Sequence, residues 1–247
     1  MDDADQQISL RLDRVATRWT LVLRAGDTAD PNALEARRLL VLRYAPAIRS
    51  YVAALVRDEE LADELAHEIV LRLLQGQFRG ADPARGRFRD YLKVAIKNAV
   101  RNYWRRAERA RTAQVDIEQA ALAQEADEST WLSRWRNNLL EVCWDRLREY
   151  EQQHPGNIYY AVLRARTRYP EASSQELAEK LAVELQRPIR PDAVRQTLKR
   201  ARAKFAEFLI DEVADGLADP TPQRIEEELV ALGLYAYVKE FVPRASD

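Results

Sequence analysis

An all-α chain of two small helical domains is the fold the sequence predicts, and three observations carry that prediction. Ala, Leu, Arg and Glu are abundant, while only 7 Gly and 10 Pro punctuate 247 residues, a composition that favours helix over sheet. Apolar residues recur three and four apart through most of the chain, the period of a helix with one buried face. The periodic blocks are interrupted at 112–130, where five acidic residues and no basic one read as an acidic linker, a flexible tether or in part a short helix. Hydrophobic content of 47% excludes wholesale disorder, and the length suffices to bury a sizeable core.

The elements follow in order. Trp19 and Leu23 belong to a helix that stops at the Ala25-Gly26-Asp27 turn. Leu34, Leu39, Leu42, Tyr44, Ile48, Tyr51, Val52 and Leu55 predict a second helix, from about Pro31, whose fixed φ suits a first turn, to about Arg57. Asp58 is placed to cap a third helix running through Leu74, with Leu61, Leu65, Ile69, Leu73 and Leu74 apolar. Its polar face holds Asp63, Glu64, His67, Glu68 and Arg72, either an ordinary solvated surface or a dock for a basic partner. A loop from Gly76 to Arg89, rich in Gly, Arg and Asp, contains the turn signal Asp82-Pro83, with Phe78 and Phe88 as tethers. A fourth helix then spans about Phe88 to Arg109, apolar at Leu92, Ala95, Ile96, Ala99 and Val100.

Formal net charge is only -1, yet the positive charge is concentrated in two places. Arg79 to Arg111 carries eleven Arg/Lys against Asp82, Asp90 and Glu108, and Arg187 to Lys204 carries seven against Asp192. Two basic helical segments far apart in the chain suit a polyanion touched at two separated points, with duplex DNA the leading interpretation. In the fourth helix Arg89, Lys93, Lys97, Arg101 and Arg105 stand four apart and form a ridge able to meet successive phosphates. Asn98, Asn102, Tyr103 and Trp104 add amide and ring groups that could bond or stack with unpaired bases, the alternative being that the two rings lie in the core.

Beyond the acidic stretch, Trp131, Trp135, Leu139, Val142 and Leu147 are spaced for a helix from about Ser129 to Gln153, broken by His154-Pro155-Gly156. Ile158 to Tyr169 is a short helix, Ser174 caps the next, and Leu177, Ala178, Leu181 and Leu185 face its core. After a turn at Arg187-Pro188-Ile189-Arg190, Pro191-Asp192 opens a long helix packed through Val194, Leu198, Ala201, Phe205 and Leu209. The pair matches a helix-turn-helix with its recognition helix second. Arg195, Gln196 and Lys199 are placed for base edges, and Arg200 and Arg202 for phosphates.

Other classes are disfavoured. No apolar run approaches the roughly 20 residues of a bilayer crossing, and the acidic start Met1 to Asp5 cannot begin a secretory signal. The expected setting is therefore cytoplasmic, with no membrane partner, and, with duplex DNA as the leading partner, nucleoid-associated. Cys143 sits among apolar neighbours as a buried thiol, and His67 and His154 leave a structural zinc without ligands, so no metal and no cofactor is expected. No nucleophile–base or metal-ligand spacing stands out, and the chain reads as no enzyme.

The ordered blocks Glu60 to Leu74, Phe88 to Leu92, Asn98 to Arg106, Ser174 to Leu181 and Ala193 to Arg202 resemble a bacterial sigma factor of the sigma-70 family, in its small two-domain extracytoplasmic-function (ECF) class. The resemblance covers roughly Leu34 to Phe208 and implies these assignments. Residues 10–111 are a region 2-like domain, 112–130 the linker along the RNA exit path, 131–214 a region 4-like helix-turn-helix domain, and 215–247 a C-terminal helical extension. Asp63, Glu64 and Glu68 would dock on the coiled-coil clamp of core RNA polymerase. The basic segment with Arg89, Lys93, Lys97, Asn98, Arg101, Asn102, Tyr103, Trp104 and Arg105 would melt and read the minus-ten element. Arg195, Gln196, Lys199, Arg200 and Arg202 would read the minus-thirty-five element. The implied partners are core RNA polymerase and promoter DNA, with room for an anti-sigma protein or a regulatory kinase.

Three features depart from the family pattern: a long Glu149 to Ala172 stretch, a lengthened turn at Val183 to Asp192, and the tail. In the tail, Pro220 and Pro222 precede a helix expected over Arg224 to Phe241, which either packs on the second domain or covers DNA-binding surface. The competing function is a helix-turn-helix regulator without sigma activity, which would leave the first basic ridge unused.

Overall fold

The structure is a computed structural model that describes residues 18–27, 29–56, 58–77, 82, 84, 86–110 and 128–242. Among the described residues there are ten helices and no strand, in keeping with the all-α expectation. The acidic stretch 112–127 and Phe78, Arg79 and Arg111 lie outside the described residues. Two compact units are present, one holding the described residues up to Asn138 together with Val213–Tyr235, the other Leu139–Glu212 with Ala236–Val242.

In unit 1, helix α1 (Arg18–Gly26) and helix α3 (Glu59–Leu74) both pack on α2 (Ala33–Val56), and α4 (Phe88–Ala110) packs on α2 and α3. Asp58 caps α3 as its sequence position suggests, accepting from the Leu61 amide at 3.0 Å. The end of α3 is set by Gly76 at φ 72, with Gly76 N bonded to Leu73 O and Gln77 N to Arg72 O. A Cβ at Gly76 would stand 2.6 Å from the Arg37 guanidinium, which itself donates to Ala25 O.

By length and composition α2 could cross a membrane, against the expectation that no apolar run comes close. Its Leu40, Tyr44, Ile48, Tyr51, Val52 and Leu55 are buried, the placing of a core helix. Around them sits a ring of aromatics. Trp135 stacks on Tyr44 at 5.3 Å, Trp131 meets Tyr51 at 4.7 Å, and Phe88 meets Tyr44 at 5.0 Å. Burial pushes the Tyr51 phenol up to about 12.

Trp131 and Trp135 belong to helix α5 (Glu128–Gln153), and the boundary between the units falls inside this helix, at Asn138. The sequence assigned both tryptophans to a second domain beginning at 131; they are instead part of unit 1. Unit 1 also holds helix α9 (Pro222–Ala231), so the tail helix does not belong to the second domain. The long tail helix expected over Arg224 to Phe241 is interrupted. Gly233 at φ 68 ends α9, with Gly233 N bonded to Val230 O and Leu234 N to Leu229 O. Tyr235–Val238 forms the short α10 after it.

In unit 2, helices α6 (Tyr159–Arg168), α7 (Ser174–Glu184) and the unit 2 part of α8 (Pro191–Asp215) share a core of Ala161, Val162, Ala165, Leu177, Ala178, Leu181, Val194 and Leu198. The lengthened Glu149 to Ala172 stretch therefore supplies a core helix. Cys143 and Leu147 of α5 are buried too, and Trp144 meets Phe205 at 4.9 Å. Arg146 donates to Asp211 and Glu212, both at 3.0 Å, and lies 4.3 Å from the Phe208 ring centre. The cap of α7 is Ser173, not Ser174: its hydroxyl accepts from Glu176 N while the Glu176 carboxylate accepts from Ser173 N at 2.6 Å. That reciprocal box satisfies two helix-end amides and holds the Glu176 carboxyl below the usual carboxylate range.

Candidate nucleic-acid interface

Helix α3 places its acidic residues outward because its Ala62, Leu65, Ala66, Ile69 and Leu73 are buried. The three acids differ in their surroundings. Asp63 accepts two bonds from Arg49, at 2.6 and 3.2 Å, and this guanidinium holds its carboxyl below the ordinary range. Glu68 receives Arg72 at 2.5 Å along α3 and Arg106 of α4 at 3.2 Å, tying the two helices together. Glu64 is exposed and makes no ion pair among the described residues.

The basic ridge of α4 divides into two halves. Arg89 retains only 5% of its side-chain exposure and grips the Glu228 carboxylate of α9, through Nε at 2.6 Å and Nη2 at 3.2 Å. Lys93 is ion-paired with Glu128 at the start of α5. Arg89 is thus a buried structural arginine in this fold rather than a surface cation. Downstream, Arg101 and Arg105 are exposed and Lys97 half-buried, and among the described residues none of the three forms an ion pair. Asn98 and Asn102 are exposed beside them, while Tyr103 and Trp104 are half-buried and meet edge-on at 5.3 Å. Indole Nε1 of Trp104 is buried without a hydrogen-bond partner among the described residues. The exposed half of α4 therefore offers cations, amides and ring surface together, the group types that contact phosphate and stack with bases.

Unit 2 presents a second basic surface. Burial of Val194, Leu198 and Ala201 turns Arg195, Gln196, Lys199, Arg200 and Arg202 outward, and all five are exposed. Arg195 is ion-paired with Asp192 one turn earlier. Between α7 and α8, Arg187 N reaches back to Ala182 O at 3.2 Å, and Gln186 adopts φ 51. This is the helix-stop geometry seen at Gly76 and Gly233, with glutamine where the left-handed conformation favours glycine.

Residues 40–110 match the sigma-70 region 2 family. The matched stretch runs from Leu40 within α2 to the last residue of α4, so it contains the acidic face of α3 and the basic ridge of α4. It supports a sigma-type role for unit 1 and, with it, binding to core RNA polymerase. Neither the comparison with curated proteins nor that with solved structures finds a match.

Two partners of the ridge escaped the sequence reading, Glu128 and Glu228. Glu228 carried a signal: it stands with Ile225, Leu229 and Leu232 at helical spacings three and four apart, an acid on the apolar face of its own helix. An acid that stays charged when buried in that position is paired with a cation, hydrogen-bonded or bound to a metal.

Proposed function

We propose that the chain is an RNA polymerase sigma factor of the ECF class that directs promoter recognition and melting from the cytoplasm, in association with the nucleoid. The observation that carries this reading is the match to sigma-70 region 2 over the helices that hold an acidic face and a basic, ring-bearing face side by side. In the proposal, the acidic face of α3 docks on core polymerase, Glu64 being its most accessible charge, with Asp63 and Glu68 fixed by their arginines beside it. Lys97, Arg101 and Arg105 attract the phosphates of the minus-ten element, and Asn98, Asn102, Tyr103 and Trp104 receive bases as the duplex opens. Stacking and phosphate attraction offset an unstacking cost of roughly a few kcal/mol per step. The exposed face of α8, with Arg195, Gln196, Lys199, Arg200 and Arg202, reads the minus-thirty-five element in the manner of a helix-turn-helix.

Run-off transcription tests it: purified core polymerase from the native bacterium, with and without the chain, on a fragment library that includes DNA upstream of its own gene. Chain-dependent initiation at defined starts is expected. Binding to DNA without polymerase and without initiation would replace this reading by that of a helix-turn-helix regulator.

A further inference from the structure

The Glu228 carboxylate holds two arginines of the basic segment at once. Oε1 accepts from Arg89 Nε at 2.6 Å, and Oε2 meets Arg87 Nη1, also at 2.6 Å. Arg89 and Glu228 keep 5% and 6% of their side-chain exposure, whereas Arg87 keeps 36%. Asp90 adds a further carboxylate 3.5 Å from Arg89 Nη1, and Lys93, one turn on, is occupied by Glu128. Arg87, Arg89 and Lys93 are therefore each paired with an acid, and two of these acids, Glu228 and Glu128, come from elements far along the chain. Farther along α4, Lys97 is half-buried and Arg101 and Arg105 are exposed, and none of these three forms an ion pair among the described residues.

We infer that Glu228 is a specificity-determining residue of the nucleic-acid interface: it masks Arg87 and Arg89 from phosphate and confines backbone contact to the downstream half of α4. This rests on the reading of α4 as a nucleic-acid-binding helix. The physical argument is that phosphate contacts raise affinity for every sequence alike, whereas base contacts discriminate. Withdrawing two cations lowers attraction to arbitrary DNA and leaves Asn98, Asn102 and the rings untouched, so the ratio of specific to non-specific binding rises. The mask is a fixed one. Ile225 and Leu229, which flank Glu228 on α9, are fully buried, so the carboxylate is anchored by its own helix rather than held on a loose strand.

The test measures binding of the full-length chain to a fluorescent random-sequence duplex over a series of salt concentrations, with thermal unfolding recorded for each variant. Glu228→Gln is expected to bind random duplex more tightly at low salt. Its slope of log K against log salt should steepen by about one to two, since each newly engaged phosphate adds about 0.9. The double variant R89M/E228M keeps apolar filling in the buried site and exposes Arg87 alone, so its slope should steepen by about one. A third measurement needs no variant: arginine-selective labelling of the wild type, read by mass spectrometry. DNA should protect Arg101 and Arg105 and leave the reactivity of Arg87 and Arg89 unchanged. An unchanged slope in a folded variant, a loss of affinity, or protection of Arg87 and Arg89 by DNA overturns the mask. Should the wild type and K97A/R101A/R105A alike show no salt-dependent binding, it is the nucleic-acid reading of α4 that falls, and the mask with it.

Discussion

Gln186 is where a single side chain works against its backbone. Among the described residues it is the one non-glycine with positive φ, a conformation that crowds Cβ against the following carbonyl and costs about 1–2 kcal/mol. Glycine removes that clash and gives back part of the gain through a freer unfolded chain. Gln186→Gly is therefore expected to stabilise unit 2 by about 0.5–1 kcal/mol, read by chemical denaturation. The Glu176 carboxyl of the neighbouring helix cap titrates below its ordinary range. Its contribution is accordingly complete above the unfolded-state pKa and lost as pH falls through the depressed folded value. Charge reversal at Glu64 is a different kind of test, because Glu64 is exposed and makes no ion pair among the described residues. Glu64→Lys should weaken association with core polymerase in a pull-down and leave the unfolding temperature unchanged. Reversal of Asp63 would also break its pair with Arg49.

At the scale of the element, α4 has one sequence pattern and two electrostatic halves. Replacing Lys97, Arg101 and Arg105 by Ala should make the slope of log K against log salt shallower by about 2–3 on duplex DNA, since three phosphate contacts are removed. The loss should be similar on all sequences, because those contacts carry no base information. Substitutions at Arg195 or Lys199 of α8 should instead change preference between promoters, measured by competition between duplexes. A triple substitution that leaves the slope where it was would remove α4 from the interface.

At the scale of the whole molecule, the stretch from α9 to Tyr235 is part of the construction of unit 1. Ile225, Leu229, Leu232 and Leu234 are all buried, and at about 1.5–3 kcal/mol each their burial amounts to roughly 6–12 kcal/mol as an upper bound. That is comparable with the entire stability of a typical domain, about 5–15 kcal/mol. Removing Glu228 with them would also leave Arg89 as a buried, uncompensated charge. Deletion of residues 219–247, which takes α9 from unit 1 and Ala236–Val242 from unit 2, is thus expected to abolish hydrogen-exchange protection over α2 and α4. A truncated chain with undiminished protection over α2 and α4 would show that the tail helix is dispensable.

The sequence by itself determined the helical class, the Asp58 cap, the apolar faces of α3, α7 and α8, and the outward face of α8, since periodicity and capping are local properties that a few consecutive residues encode. Only the tertiary structure decided which partner each face meets. Trp131 and Trp135 read as part of a second domain because their spacing is helical, yet their ring partners Tyr44, Tyr51 and Phe88 are supplied by α2 and α4. Arg89 read as one of five equivalent cations because its neighbours four apart are basic, yet it is buried by a carboxylate 139 residues away. Helical spacing fixes the direction in which a side chain points, and it is silent on what lies there, because burial and charge pairing are settled by segments distant in the chain.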